Sequence, residues 1–285
     1  MKNTAVLRIS CPDKKGIVAF VADFLYKHNA NILHADEHQD SQLGLFFLRV
    51  EWDMTGFQLT DESFRAVFGP LASSNFQMDW QISYSKDRPR VALFVSHEDH
   101  CLEDLLYRHR SGELACEIPV VISNHADVKR LVDFYQIPFY EFGLTPENKI
   151  QQEGTILKLL QEKQITLAVL ARYMQILSSD FIRHFKHPII NIHHSFLPAF
   201  VGAKPYHQAY DRGVKLIGAT AHYVTEDLDQ GPIIEQDTLR ISHRDSIEDL
   251  IQKGKDIEKM VLSRAVKNHI EHRVLTYSNK TVVFD

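Results

Sequence analysis

Apolar and branched residues alternate with polar ones over residues 4–10 (TAVLRIS), the two-residue period of a half-buried strand. CPDKKG follows as a turn, and the apolar positions of 17–26 recur at helical spacing. Strand patterns return at 31–39 and 44–53. Asp61 is placed to cap a helix reaching about Ala72, and 76–84 alternates once more. The predicted order over residues 1–84 is β-α-β-β-α-β, a ferredoxin-like unit. SKDRPR at 85–90 is charged, holds Pro89 and has no apolar period, which marks a linker.

Past the linker the rhythm changes. VALFVS (91–96), IPVVIS (118–123), ITLAVLA (165–171) and PIINIH (188–193) are nearly unbroken apolar runs, as strands covered on both faces require. Helical patterns near 101–109, 126–135 and 153–162 supply the crossovers between parallel strands. Residues 245–270 read as a closing helix started by Asp245 and Ser246. Residues 91–285 are therefore expected to form a doubly wound, mostly parallel α/β domain. Its ligands should lie beyond the C-terminal strand ends.

Composition narrows the function. With 44% hydrophobic and 24% charged residues, the 285-residue chain is globular rather than disordered. A formal net charge of −5 argues against a surface for nucleic acid, which needs clustered Lys and Arg. A small molecule is the expected partner. Cys11, Cys101 and Cys116 lie far apart without a CxxC, so neither a disulfide framework nor a zinc site is expected. No run nears the roughly 18 apolar residues of a membrane span, and no leader pattern opens the chain. The expectation is a cytoplasmic protein with no membrane partner.

Two segments carry candidate chemistry. In NIHHSFLPAF (191–200), where a buried strand runs out, Asn191 and His193 are two apart and project from one face. Such a pair can hold the oxyanion of a tetrahedral intermediate, and the imidazole can also move a proton. The same pair serves equally as a capped strand end that satisfies backbone groups. In HYVTEDLDQGPII (222–234) a β-run breaks into an acidic turn. Glu226 and Asp227 read as solvated. Asp229, beside Leu228 and just before Gly231 and Pro232, sits in a tightly held loop where a carboxylate can orient a water and take its proton. His193 and His194 point to opposite faces of a strand and cannot share one ion, and HExxH is absent, so no metal is expected. His194 reads as support for the strand end and His222 as a strand residue near the site. His207 is divided between helix-start packing and support of the pocket.

Together with LARYMQIL (170–177), these segments resemble the formyltransferase family that uses 10-formyltetrahydrofolate, over about residues 90–284. In that family an Asn, a His two residues later and the Asp of an L-D-x-G turn act together, and they map onto Asn191, His193 and Asp229. The resemblance implies a Rossmann-like domain whose pterin pocket lies around Leu170, Gln175, Ile176 and Leu177, with Val224 and Leu228 from the acidic loop. DKKGIVAFVADFLYKHNANIL resembles an ACT domain, with Asp13, Gly16, Asn31 and Ile32 at its signature positions. An ACT unit implies an amino-acid effector near Asp13, Lys15, Gly16, Ile17 and Asn31, and a homo-oligomer, dimer or tetramer.

Departures from the family's acceptor-using members bear on the nucleophile. Glycinamide ribonucleotide transformylases carry a Gly-Ser-rich phosphate loop after the first strand of this domain. This chain has SHEDHCLEDLL there, with Glu98, Asp99, Glu103 and Asp104 and no glycine. Methionyl-tRNA formyltransferases carry Arg-Gly after the Leu-Pro and a basic C-terminal domain; the corresponding pair here is Val201 and Gly202. Water remains as the attacking group. The resemblance thus implies a hydrolase that releases formate and tetrahydrofolate, supplying formate for one-carbon and purine metabolism, with the folate as substrate and no cofactor. Formyl transfer to an amine is the alternative. A sensor that has lost activity is a third reading, against which the intact triad counts.

Overall fold

The computed structural model describes residues 3–198 and 205–284, so Val201 and Gly202 lie outside the described residues. The chain divides into two compact units. In the first, β1 (Thr4–Pro12), α1 (Ile17–Lys27), β2 (Asn31–Asp40), β3 (Leu45–Asp53), α2 (Asp61–Phe76) and β4 (Asp79–Tyr84) follow the expected order. The antiparallel sheet runs β2-β3-β1-β4, the ferredoxin-like, ACT-like arrangement. Leu48, Val50 and Trp52 of β3 join Phe24 of α1 and Phe64 and Phe68 of α2 in one core.

Two boundaries of α2 differ from expectation. Its cap is Thr60, not Asp61: Thr60 Oγ1 accepts the Ser63 N–H at 3.2 Å while Ser63 Oγ accepts the Thr60 N–H at 2.8 Å, a reciprocal capping box. The helix then runs past Ala72 to Phe76, whose ring packs 5.2 Å from that of Phe20. Left-handed Gln77 (φ 53) ends it, so β4 begins at Asp79.

The second unit comprises β5 (Arg90–Val95), α3 (His100–Arg110), β6 (Glu117–Ser123), α4 (Lys129–Phe134), β7 (Phe139–Glu141), α5 (Lys149–Glu162), β8 (Leu167–Leu170), α6 (Ser179–His184), β9 (Ile189–His193), α7 (Pro205–Asp211), β10 (Leu216–Tyr223), β11 (Ile233–Arg240) and α8 (Ile247–Ile270). Its sheet order is β11-β10-β9-β8-β5-β6-β7. The pairings among β5 to β9 are parallel, while β10 runs antiparallel to β9 and β11 to β10. The chain winds from β5 out to β7, then returns to place β8 on the other side of β5. That reversal opens a crevice beyond the C-terminal ends of β5 and β8, as expected of a doubly wound sheet. Helix α5 packs with the core on one face, and α8 lies on β9 and β10. The short β7 and α6 have no counterpart in the sequence reading, α7 is the helix whose start is expected at His207, and Arg90, read as linker, opens β5.

After α8, β12 (Val274–Tyr277) and β13 (Lys280–Val283) pair as a hairpin. The sequence reading assigned everything from 91 onward to the second domain. Instead Glu271–Ser278 and the described residues from Val282 group with the first unit. The reason lies on β3: Leu48, Val50 and Trp52 face the helices, which leaves Phe47 and Arg49 on the opposite face. Val282 and Phe284 bury Phe47, and Arg49 donates to the carbonyls of His272 and Glu271, each at 3.2 Å.

Candidate active site

β9 ends at His193, and its antiparallel neighbour β10 sets Asn191 opposite His222 and His193 opposite Thr220. Asn191 Nδ2 lies 3.2 Å from His222 Nε2, and His222 Nδ1 lies 2.9 Å from the Tyr223 carbonyl. A carbonyl only accepts, so the proton of a neutral His222 sits on Nδ1, and Nε2 accepts one N–H of the Asn191 amide. The second amide N–H is left for the cavity in front of it. Beyond β9 the chain is fixed by Thr220, whose Oγ1 donates to Ser195 O (2.9 Å) and accepts from Leu197 N (3.0 Å) and Gln236 Nε2 (2.9 Å).

The carboxylate arrives on the loop joining β10 to β11. Tyr223 N–H donates to Pro232 O at 2.9 Å, closing the loop at its base. Only glycine fits at 231, where a Cβ would lie 1.8 Å from the Tyr223 oxygen. Asp229 takes a left-handed backbone (φ 56), which Asp tolerates better than most side chains. Its Oδ2 is 3.3 Å from His193 Nδ1 and its Oδ1 is 3.7 Å from His222 Nε2. His193 above all holds the Asp229 carboxyl well below the usual carboxylate range, against the desolvation of partial burial. His193 Nε2 is buried and has no partner among the described residues.

These groups open into a cavity of about 440 Å³. Asn191, His193 and Asp229 line it, and so do all six residues expected around a pterin: Leu170, Gln175, Ile176, Leu177, Val224 and Leu228. Ile176 and Leu228 remain 60% and 57% exposed, an apolar rim suited to a flat heterocycle. The loop bearing Gln175–Leu177 is pinned by Lys149 Nζ, which donates to Ile176 O at 2.6 Å, and by Ser178 N–H, which donates to Glu153 at 3.0 Å.

His194, read from the sequence as support for the strand end, also lines the cavity, and so does Arg172, which the sequence reading does not single out. Behind Arg172 stands Glu258, 1% exposed, 3.4 Å from Arg172 Nε. His100 Nε2 is 2.8 Å from Glu258 Oε2, and the Tyr206 hydroxyl donates to Oε1 at 2.5 Å. Burial alone pushes the Glu258 carboxyl up, but His100, Arg172 and Tyr206 outweigh it and hold it below its ordinary value. Tyr206 reaches Glu258 across Gly254, where a Cβ would lie 2.1 Å from its hydroxyl. Burial, then the Arg172 charge, pulls His194 down to about 4. His100, Cys101 and Glu258 bring potential metal-ligand atoms within 4.8 Å of one another, but both Glu258 oxygens already have hydrogen-bond partners and burial raises the Cys101 thiol. His207 is exposed on α7.

The residues expected to hold an effector are not gathered in one place. Asp13, Lys15, Gly16 and Ile17 form the turn from β1 into α1, where Gly16 is left-handed (φ 96) and Asp13 accepts from Gln39 Nε2 at 2.5 Å. Gln39 stands near the end of β2, whereas Asn31 opens that strand opposite Asp53. Asn31 is thus a strand length from the turn, roughly 25 Å.

Comparison with known proteins converges on one group. A family model described as formyl transferase matches residues 89–266. A formyltetrahydrofolate deformylase from Synechocystis sp. is 56% identical over 281 residues, covering 99% of this chain and 98% of that protein. The Bacillus subtilis protein of the same name is 49% identical over 280 residues, covering 98% of this chain and 93% of its own. The crystal structure of a formyltetrahydrofolate deformylase from Pseudomonas syringae superimposes with a TM-score of 0.96 at 52% identity, covering 100% of this chain and 95% of that one. A glycinamide ribonucleotide transformylase from Symbiobacterium toebii shares the fold over 70% of this chain and 95% of its own, with a TM-score of 0.65 and 28% identity. Among the described residues, no helix is long and apolar enough to cross a membrane.

Proposed function

The chain belongs to the formyltetrahydrofolate deformylases within the formyl transferase family, and from that premise we propose that it hydrolyses 10-formyltetrahydrofolate to tetrahydrofolate and formate in the cavity of Asn191, His193 and Asp229. Asp229 takes a proton from a water as the water oxygen bonds to the formyl carbon. The carbonyl electrons move onto oxygen, which is held by the free N–H of Asn191 and by Nε2–H of a protonated His193. His193 passes that proton to the folate nitrogen as the C–N bond breaks. Formic acid and Asp229 then each give up a proton, one restoring His193 and the other leaving to solvent.

What supports this reading is the meeting of an amide, an imidazole and an ionised carboxylate, from two strand ends, at one cavity with an apolar wall. The test is the purified protein with 10-formyltetrahydrofolate and no acceptor, following tetrahydrofolate and formate. Release in buffer alone is expected. Product formed only on adding an amine would establish transfer instead. Asn191→Ala should lower turnover on the order of a hundredfold to a thousandfold, the usual loss for one oxyanion donor. Full turnover in that variant would remove Asn191 from the mechanism.

We also propose that the protein acts in the cytoplasm, as its three buried cysteines suit. The ACT-like unit is proposed to take an amino acid at the Asp13–Ile17 turn, in a homo-oligomer. Because Asn31 is remote from that turn within one chain, its part in such a site requires a second subunit. Calorimetry with amino acids showing neither heat nor a change in activity would make the unit an assembly module.

A further inference from the structure

Hydrolysis at this cavity turns a neutral formamide into an anion, next to a carboxylate. Asp229 is ionised and Glu226 also lines the cavity. Among the described lining residues, Arg172 is the one lysine or arginine. A formate formed at Asn191, His193 and Asp229 therefore meets two carboxylates, and besides the restored His193 the cation lining the cavity among the described residues is Arg172. His194 adds no further cation, because burial and the Arg172 charge keep it neutral.

Arg172 is held in an unusual way. Its backbone is left-handed (φ 63), a strained state for a residue with a Cβ, and its carbonyl accepts the Ser96 N–H at 3.1 Å, tying the turn to the end of β5. The side chain is 13% exposed. Glu258 balances its charge from behind but does not use its donors: the 3.4 Å contact is an ion pair, while Glu258 Oε2 and Oε1 are taken by His100 and Tyr206. Arg172 Nε is buried without a hydrogen-bond partner among the described residues. A planar fork of N–H groups, neutralised from behind and lining the cavity, is the arrangement that grips a carboxylate through two parallel hydrogen bonds.

We propose that Arg172 is the subsite for the formate product: its guanidinium takes the carboxylate once formic acid has given up its proton, and holds it until release. The inference rests on the hydrolytic reading above. A carboxylate could also come from the glutamate tail of the folate, so the experiment separates the two sources. Inhibition of the full-length protein by sodium formate and by tetrahydrofolate is measured for wild type, Arg172→Lys and Arg172→Met, with circular dichroism and melting as folding controls. The formate inhibition constant should rise about tenfold or more in Arg172→Met and severalfold in Arg172→Lys, while that of tetrahydrofolate stays within about twofold. Carbon-13 formate should broaden saturably with wild type and not with Arg172→Met. If the methionine variant does not fold, the lysine variant, which keeps a charge against Glu258, carries the comparison. Unchanged formate inhibition in a folded variant overturns the proposal, as does wild type insensitive to formate. A raised KM with formate inhibition intact would assign Arg172 to the folate tail and overturn it equally. Failure of the hydrolytic reading registers elsewhere, as retained turnover in Asn191→Ala.

Discussion

Gly231→Ala tests how the carboxylate is delivered without touching any reacting group. A Cβ at 231 would sit 1.8 Å from Tyr223 O, 2.9 Å from its carbonyl carbon and 3.2 Å from Thr225 Cγ2. Carbon-to-oxygen contacts open at about 3.3 Å, so the turn must back away by about 1.5 Å. Tyr223 is held in β10 opposite Ile190, which makes the loop the part that yields. Asp229 travels with it, and its 3.3 Å contact to His193 lengthens to about 4.8 Å. At an effective dielectric near 20, that weakens the attraction of a protonated His193 for the carboxylate from about 5 to about 3.5 kcal/mol, roughly a tenfold looser hold on Asp229. Displacing a positioned group by more than about 1 Å adds on the order of a hundredfold.

The expected result is a fall in kcat/KM of about a hundredfold to a thousandfold, with overpacking costing about 1–3 kcal/mol of stability. A second signature follows from the Asp229 carboxyl, which His193 holds low. Chemistry that needs the carboxylate is lost as pH falls through its pKa. Withdrawing His193 raises that pKa, so the acid limb of kcat/KM should move to higher pH. The assay is tetrahydrofolate release across pH, beside Gly143→Ala as control, because an added Cβ there meets nothing within 4 Å. A folded Gly231→Ala protein within about twofold of wild type at every pH would refute the placement of Asp229.

Gly254→Ala should drive Tyr206 off Glu258, since the new Cβ falls 2.1 Å from the phenol oxygen. Alanine gains about 1 kcal/mol over glycine within a helix, but a clash with three buried Tyr206 atoms outweighs it, so a net loss of stability in urea is expected, and a more stable variant would contradict the packing. His194 is neutral in the fold, with its pKa moved from 6.5 to about 4. Below pH 6.5 the unfolded chain binds a proton that the folded one refuses, so stability declines from there down to about 4, by about 2 kcal/mol at pH 5. Urea unfolding at pH 7 and pH 5 should show His194→Gln losing less than wild type by about that amount; equal losses would rule out the linkage.

Much of this molecule is legible in its sequence where the signal is local. The ferredoxin-like unit shows through because alternation in β1 and β3 and helical spacing in α1 each report one buried face. Asn191, His193 and Asp229 stand out because an i, i+2 pair at a strand end and a glycine-closed acidic turn are short patterns. His222 reads only as a strand residue, since its contact with Asn191 exists through the antiparallel register of β9 and β10. Arg172 looks like one charge in an apolar run, and Glu258 like one more polar position on a long helix. Their pairing depends on how α8, α7 and the turn after β8 pack, which no local pattern encodes. The cap of α2 slipped by one residue because Thr60 and Asp61 are both good capping types.

The far face of β3 bears on how this protein can be made and cut. Phe47 and Arg49 are translated early, but the residues that shelter them, from Glu271 to Phe284, come off the ribosome only after the whole second unit. Until then the nascent sheet shows one bare, sticky side. For the same reason, cleavage at 85–90 does not free a self-sufficient module: the excised piece would lack part of its own wall.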